Sequence, residues 1–155
     1  DLEGKEIGLG TIAVGKPGKR QSLAMTQLDG GPLLTWEEEG QIFGRMLDEG
    51  ANPTGDLWLV GKGAQPAVAG LGDSAVVTYL AEVEGVADQV VAVRVGKSGV
   101  SESAIRVSDA RTPVLDRPVV ALGGPRVAVV WTEKMGPAIS SKRAWIRTVD
   151  SACLK

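Results

Sequence analysis

From Ser22 to Thr148 the chain runs in short alternations of apolar and polar residues, broken by turn residues. An alternation of that period puts successive side chains on opposite faces, and it predicts half-buried β-strands rather than helices. Three passages carry it most clearly: "SLAMTQLDGGPLLTW" from Ser22, "PAVAGLGDSAVVTY" from Pro66 and "PVVALGGPRVAVVW" from Pro118. Each is an apolar stretch, a Gly-containing turn and an alternating strand that ends on an aromatic: Trp36, Tyr79 or Trp131. An acid follows within three residues, at Glu37, Glu82 and Glu133. Each passage continues into a strand that contains an arginine, "QIFGRM" with Arg45, "VVAVRV" with Arg94 and "RAWIRT" with Arg147. After the first two comes a further strand, "DLWLVG" around Trp58 and "SAIRVS" around Ile105.

The unit is therefore four short strands in roughly 45–50 residues, the period and content of a β-propeller blade. The expected repeats are 22–65, 66–117 and 118–150. Their shared pattern, P-x-V-A…G-x-x-x-V-V-x-W…R…G, resembles the degenerate propeller repeats of bacterial secreted and surface proteins. That resemblance covers nearly the whole chain. It implies an all-β fold, residues 1–155 forming a single segment of about three four-stranded antiparallel blades, and a secreted, periplasmic or cell-surface location. The first copy departs from the pattern in lacking the leading proline. The S-x-D-x-G-x-T-W box of sialidase-like propellers is missing, because "DGGPLLTW" has the wrong spacing, so a sialidase reading is disfavoured.

The opening residues align with the passages that lead into fourth strands, so residues 1–15 are expected to form a fourth strand of an adjoining blade, around Ile7 to Val14. At the other end the chain stops after a third strand. Propellers typically carry about 4–8 blades. Three would crowd the axis if closed, and an open arc would leave two apolar blade faces wet. The segment is therefore expected to be completed by another protein chain, either a sister fragment or a second copy.

Composition bears on function mainly by exclusion. A net charge of −2 argues against a nucleic-acid partner, since phosphate neutralisation needs a basic patch. No apolar run approaches the roughly 18 residues of a membrane-spanning helix. The chain contains no histidine, which removes Ser–His–Asp triads, Cys–His dyads and His-ligated metals from this chain alone. "LDEGANPTGD" at 47–56 does not match a hand-type calcium loop and reads as a turn. "GLGTIAVG" and "ALGGP" lack the strand–turn–helix setting of a phosphate cradle. No catalytic residue, metal ligand or cofactor is assigned. The lone cysteine, Cys153, is a candidate for an interchain disulfide, with a free thiol as the alternative.

Candidate ligand-binding residues are Trp58, Trp145, Glu37, Glu133, Arg45, Arg94 and Arg147. Trp36, Tyr79 and Trp131 recur at equivalent places and read first as packing between neighbouring blades, because rings bury large areas. Trp58 and Trp145 break the repeat, with Ile105 and Ala92 expected at their equivalents, and so flag a ligand platform or a subunit contact. The three arginines suit anchoring of carboxylates or loop carbonyls. Second-to-third and fourth-to-first loops share one rim of a propeller, which would bring acidic and basic loops together. The expected function is a secreted, non-catalytic propeller subunit acting in binding and assembly, with recognition on that rim. Alternatives are a hydrolase subunit whose catalytic residues come from a partner, and lectin-like carbohydrate binding.

Overall fold

The computed structural model describes residues 20–83, 86–96, 99–108, 114, 116–135 and 142–154. The fourth strand expected within residues 1–15 lies outside them. Among the described residues eleven strands form three antiparallel sheets. The first holds β1 (Arg20–Leu28), β2 (Gly31–Glu38), β3 (Gln41–Leu47) and β4 (Pro53–Lys62). The second holds β5 (Ala64–Leu71), β6 (Ser74–Val83), β7 (Val86–Gly96) and β8 (Gly99–Arg106). The third holds β9 (Val119–Gly123), β10 (Arg126–Lys134) and β11 (Lys142–Asp150), followed by a 3-10 turn at Ser151–Cys153. Within each sheet the strands follow chain order as a meander. The fold is all-β, and its sheets are propeller blades.

The local chemistry accounts for the meanders. Each first-to-second strand link is a tight hairpin: Leu28 pairs with Gly31, Leu71 with Ser74 and Gly123 with Arg126. The link between β2 and β3 is Glu39–Gly40, with φ of 53° and 72°, the pair of positive values that a twist-matched two-residue turn requires. Because these turns are short, register is fixed, and alternation alone decides which side chains face which way.

The blades meet along their first strands. β1 lies beside β5, and β5 beside β9. Thr26 Oγ1 accepts from the Gly70 amide at 3.0 Å, and the Gly72 carbonyl accepts from the Asp29 amide at 2.9 Å. Gly70 makes this approach possible: a Cβ there would stand 2.5 Å from Leu28 Cδ2 and 2.8 Å from the Gln27 carbonyl oxygen. Ahead of β9, Arg117 reaches across to the Leu23 carbonyl at 3.2 Å, tying the first and third blades together.

We call the face that carries the second-strand aromatic the front of a sheet, and the other its back. The front of the second sheet (Val77, Tyr79, Val93, Val95) packs on the back of the first (Leu33, Ile42, Val60) as one continuous core. The front of the third (Val127, Val129, Trp131) packs in the same sense on the back of the second (Val76, Val90, Ala92). Val93 and Val129 are almost wholly buried, and each side chain of that kind contributes about 1.5–3 kcal/mol of transfer free energy. Leu154 folds back from the C-terminal turn to close the second of these cores.

Among the described residues, two faces have no sheet against them. On the front of the first sheet Trp36 is buried and stacked on Phe43, with centroids 5.9 Å apart, but Leu23, Met25, Leu57 and Leu59 around them are exposed, Met25 by 62%. On the back of the third sheet Val119, Val130 and Ile146 are exposed, Ile146 by 68%.

Candidate functional site

Tyr79 and Trp131 pack between neighbouring blades, whereas Trp36 packs within the front of its own sheet against Phe43, Leu34 and Leu47. Side chains two apart on a strand share a face, and Trp36 Nε1 donates to Glu38 Oε2 at 3.0 Å while Trp131 Nε1 donates to Glu133 Oε1 at 2.7 Å. A buried indole N–H needs such an acceptor. Glu133 is thereby held buried on the front of the third blade, beside Trp131. In the middle blade the residue two after Tyr79 is Ala81, and the Tyr79 hydroxyl instead lies against Gly61 of β4, where a Cβ would overlap it. Burial raises the Tyr79 pKa above its ordinary value of 10.0.

The arginines anchor backbone and hydroxyl groups. Arg147 Nη1 donates to the Val107 carbonyl at 2.8 Å, joining the third blade to the exit of the second. Arg45 Nη2 donates to the Gly55 carbonyl at 3.3 Å, within its own blade. Arg94 is out of step. It pairs with Val76, three residues before the second-strand aromatic, whereas Arg45 and Arg147 pair with Leu34 and Val129, two residues before theirs. That one-residue difference turns Arg94 to the back of its sheet, where Nη2 donates to Ser74 Oγ at 3.0 Å.

The strand registers also correct the expected equivalent of Trp145. Trp131 faces Trp145 across the pair, as Trp36 faces Phe43 and Tyr79 faces Val91. Trp145 therefore corresponds to Val91, not Ala92, and to an aromatic in the first blade. It stands on β11 with 38% of its surface exposed and the Arg143 guanidinium 5.4 Å from its ring centroid. Trp58 is half-buried against the core between the first and second blades. Glu37 Oε2 accepts from the Gln65 amide at 3.0 Å and so pins the link from the first blade to the second. Cys153 is a free, exposed thiol.

Two open hollows mark the two rims. One, of about 500 Å³, lies among Gln27, Asp29, Gly31, Pro32, Asp48 and Glu49, at the first-to-second and third-to-fourth turns. Hydrogen bonds from the backbone and side chain of Asn52 hold the Asp48 carboxyl below the usual carboxylate range. The other, of about 380 Å³, lies among Gly40, Lys62, Gly63, Leu80, Glu82 and Asp88. It is the place where an acidic second-to-third loop meets a basic fourth-to-first link, as the loop order implied. The structure does not gather Trp58, Trp145, Glu37, Glu133 and the three arginines into one site. The hollow beside Lys62 went unassigned at the residue level because it is formed by loops far apart in sequence. No group of three or more Asp, Glu or Cys among the described residues could hold a metal ion. No helix among them is long and apolar enough to cross a membrane.

No protein-family model matches the chain, and no curated protein matches it. Among solved structures it is similar to the GH43 endo-arabinanase from Bacillus licheniformis, with 15% identity and a TM-score of 0.49 over 82% of this chain. The chain spans 52% of that structure's length. A likeness at that level carries no argument about this site. The blade assignment rests on the meanders, the adjoining first strands and the front-to-back packing.

Proposed function

We propose that this chain is a secreted or cell-surface propeller segment that acts in binding and assembly, with its remaining blades supplied by another polypeptide and recognition on the loop rim around Lys62, Glu82 and Asp88. One observation carries the reading: among the described residues no sheet lies against the front of the first sheet or the back of the third, at opposite ends of the arc, and apolar side chains are exposed there, Leu23, Met25, Leu57 and Leu59 on one and Val119, Val130 and Ile146 on the other. Contiguous exposed apolar surface of that kind marks a contact site in a soluble protein. Of the residues that the sequence pattern nominated for ligand binding, Glu37, Glu133, Arg45, Arg94 and Arg147 are all engaged within the chain, which favours recognition by the rim loops instead. A hydrolase built on this segment would draw its carboxylate pair at least partly from the partner.

A lectin-like reading is favoured by one feature, the exposed Trp145 ring beneath Arg143, which offers an aromatic platform to a sugar face. An interchain bond through Cys153 remains part of the assembly reading, since its thiol is accessible. The test is titration of the purified chain with an apolar fluorescent dye, alongside its mass in solution. Dye binding or self-association is expected. A monomer that binds no dye and unfolds cooperatively would refute an incomplete propeller. For the sugar reading, a glycan array on the wild type and Trp145→Ala is decisive, with any signal expected to vanish in the variant.

A further inference from the structure

We infer that the hollow on the loop rim at Lys62 holds one sugar unit of an uncharged oligosaccharide. This rests on the reading of that rim as the recognition surface, and it names the ligand.

The hollow is shaped by main chain that is already fixed. The Gly63 amide donates to the Gly40 carbonyl at 2.9 Å, which joins the link between β4 and β5 to the turn between β2 and β3. Two residues on, the Gln65 amide donates to Glu37 Oε2. Position 63 has no room for a side chain, since a Cβ there would overlap the Leu80 carbonyl oxygen and stand 2.8 Å from Tyr79 Cδ2. Gly40, Gly63 and Ala64 therefore give the hollow a floor of backbone and small groups, against which a ring can lie closely.

The walls carry the chemistry. Lys62 ends β4, while Glu82 and Asp88 stand near the facing ends of β6 and β7. All three border the same space of about 380 Å³, within the roughly 300–1,000 Å³ of ligand pockets. They are exposed, and among the described residues none of the three is held in a hydrogen bond or ion pair. Glu37 and Arg147, by contrast, are spent within the chain.

These groups select the ligand by what they can exchange. A carboxylate only accepts hydrogen bonds and an ammonium only donates them. An apolar ligand would strip water from ionised groups and return nothing. An anion meets the two carboxylates, and a cation meets the lysine. Ion pairs at so exposed a place are also screened and add little. An uncharged body with several hydroxyls satisfies both signs at once, because each hydroxyl both donates and accepts. Glu82 and Asp88 accept from ring hydroxyls, and Lys62 donates to another. The hollow on the opposite rim lacks this balance, since Asp29, Asp48 and Glu49 line it with no base.

The experiment is amide-detected NMR titration of the labelled chain with cellotetraose, maltotetraose, xylotetraose and mannotetraose in turn. At least one is expected to shift the Gly40, Gly63 and Ala64 amides to saturation, with an affinity that salt leaves unchanged. Lys62→Met and the double variant Glu82→Gln, Asp88→Asn should each weaken binding by at least about tenfold, the loss expected for a hydrogen bond to a charged group. These side chains hold nothing else in place, so the variants should keep the wild-type fold, as circular dichroism would verify. No shift with any of the four sugars, or shifts that both variants leave intact, would overturn the sugar site. Glycylglycine serves as a zwitterionic probe. If it alone shifts the rim amides, and salt weakens it, the hollow reads charge; that result would overturn the sugar and leave rim recognition standing. Sugar-induced shifts confined to β11 and lost in Trp145→Ala would overturn both the sugar in the hollow and the rim as the recognition surface.

Discussion

Gly70→Ala probes the approach of neighbouring blades at its tightest point. The backbone at Gly70 lies outside the left-handed region, so alanine meets no intrinsic strain there. Its methyl would stand 2.5 Å from Leu28 Cδ2, 3.0 Å from Thr26 Cγ2 and 2.8 Å from the Gln27 carbonyl oxygen. Carbon contacts ordinarily settle near about 3.5–4.0 Å. The leucine tip can rotate away at small cost. The carbonyl is backbone of β1, so β1 and β5 must separate, and the 3.0 Å bond from the Gly70 amide to Thr26 lengthens with them. Overpacking of that order costs about 1–3 kcal/mol. Stiffening the unfolded chain offsets about 0.4–1 kcal/mol of it. At the middle of both ranges the net is about 1.3 kcal/mol of destabilisation, or a Tm lower by about 3–5 °C for a domain of this size. Thermal unfolding followed by circular dichroism reads it directly. Gly123→Ala is the control, because a Cβ there meets nothing within 4 Å. A Gly70→Ala protein as stable as the wild type would mean that the first strands of adjoining blades are not in contact, and the arc would be wrong.

Other consequences follow from the same packing. Glu133→Ala should cost about 1–3 kcal/mol in urea unfolding, because the Trp131 N–H is left buried without its acceptor; Glu133→Gln should recover most of it. Arg147→Ala should destabilise by about 1 kcal/mol or more through its part-buried bond to Val107, while the exposed Arg94→Ala should stay within about 0.5 kcal/mol of wild type. Tyr79 has a raised pKa when folded, so the native state holds its phenolic proton where the unfolded chain releases it. Its contribution is complete below pH 10.0 and is lost as pH rises through the folded value, so stability should fall above about pH 10 in the wild type and fall less in Tyr79→Phe.

The strands and the recurring aromatics were legible because alternation and turn chemistry are local. "LDGGP", "LGDS" and "LGGPR" announce tight hairpins, and the alternating runs behind them can satisfy a core on only one face. What failed was register. Arg94 and Trp145 were each aligned one residue out, because counting along similar strings ignores the irregular pairing near Val83, and one residue exchanges the faces of a strand. The Trp–Glu pairs were within reach of the sequence, since residues two apart on a strand share a face. In the first blade the acid next to the aromatic, Glu37, lies on the opposite face, and the indole's partner is Glu38, one residue further on. The role of Gly70 and the hollow beside Lys62 were out of reach, because both arise where segments distant in the chain come together.

The central claim is that the sheets stand as blades, edge to edge at their first strands and front to back on their faces. Nuclear Overhauser spectroscopy of the labelled chain tests it most directly. Cross-peaks are predicted from the Gly70 α protons to a Leu28 methyl, and from the Gly61 α protons to the Tyr79 ring. Cross-strand contacts within each sheet, such as Val77 with Val93, serve as the internal reference. If those reference contacts are present while both inter-blade sets are missing, the sheets fold but do not pack as blades, and the account fails.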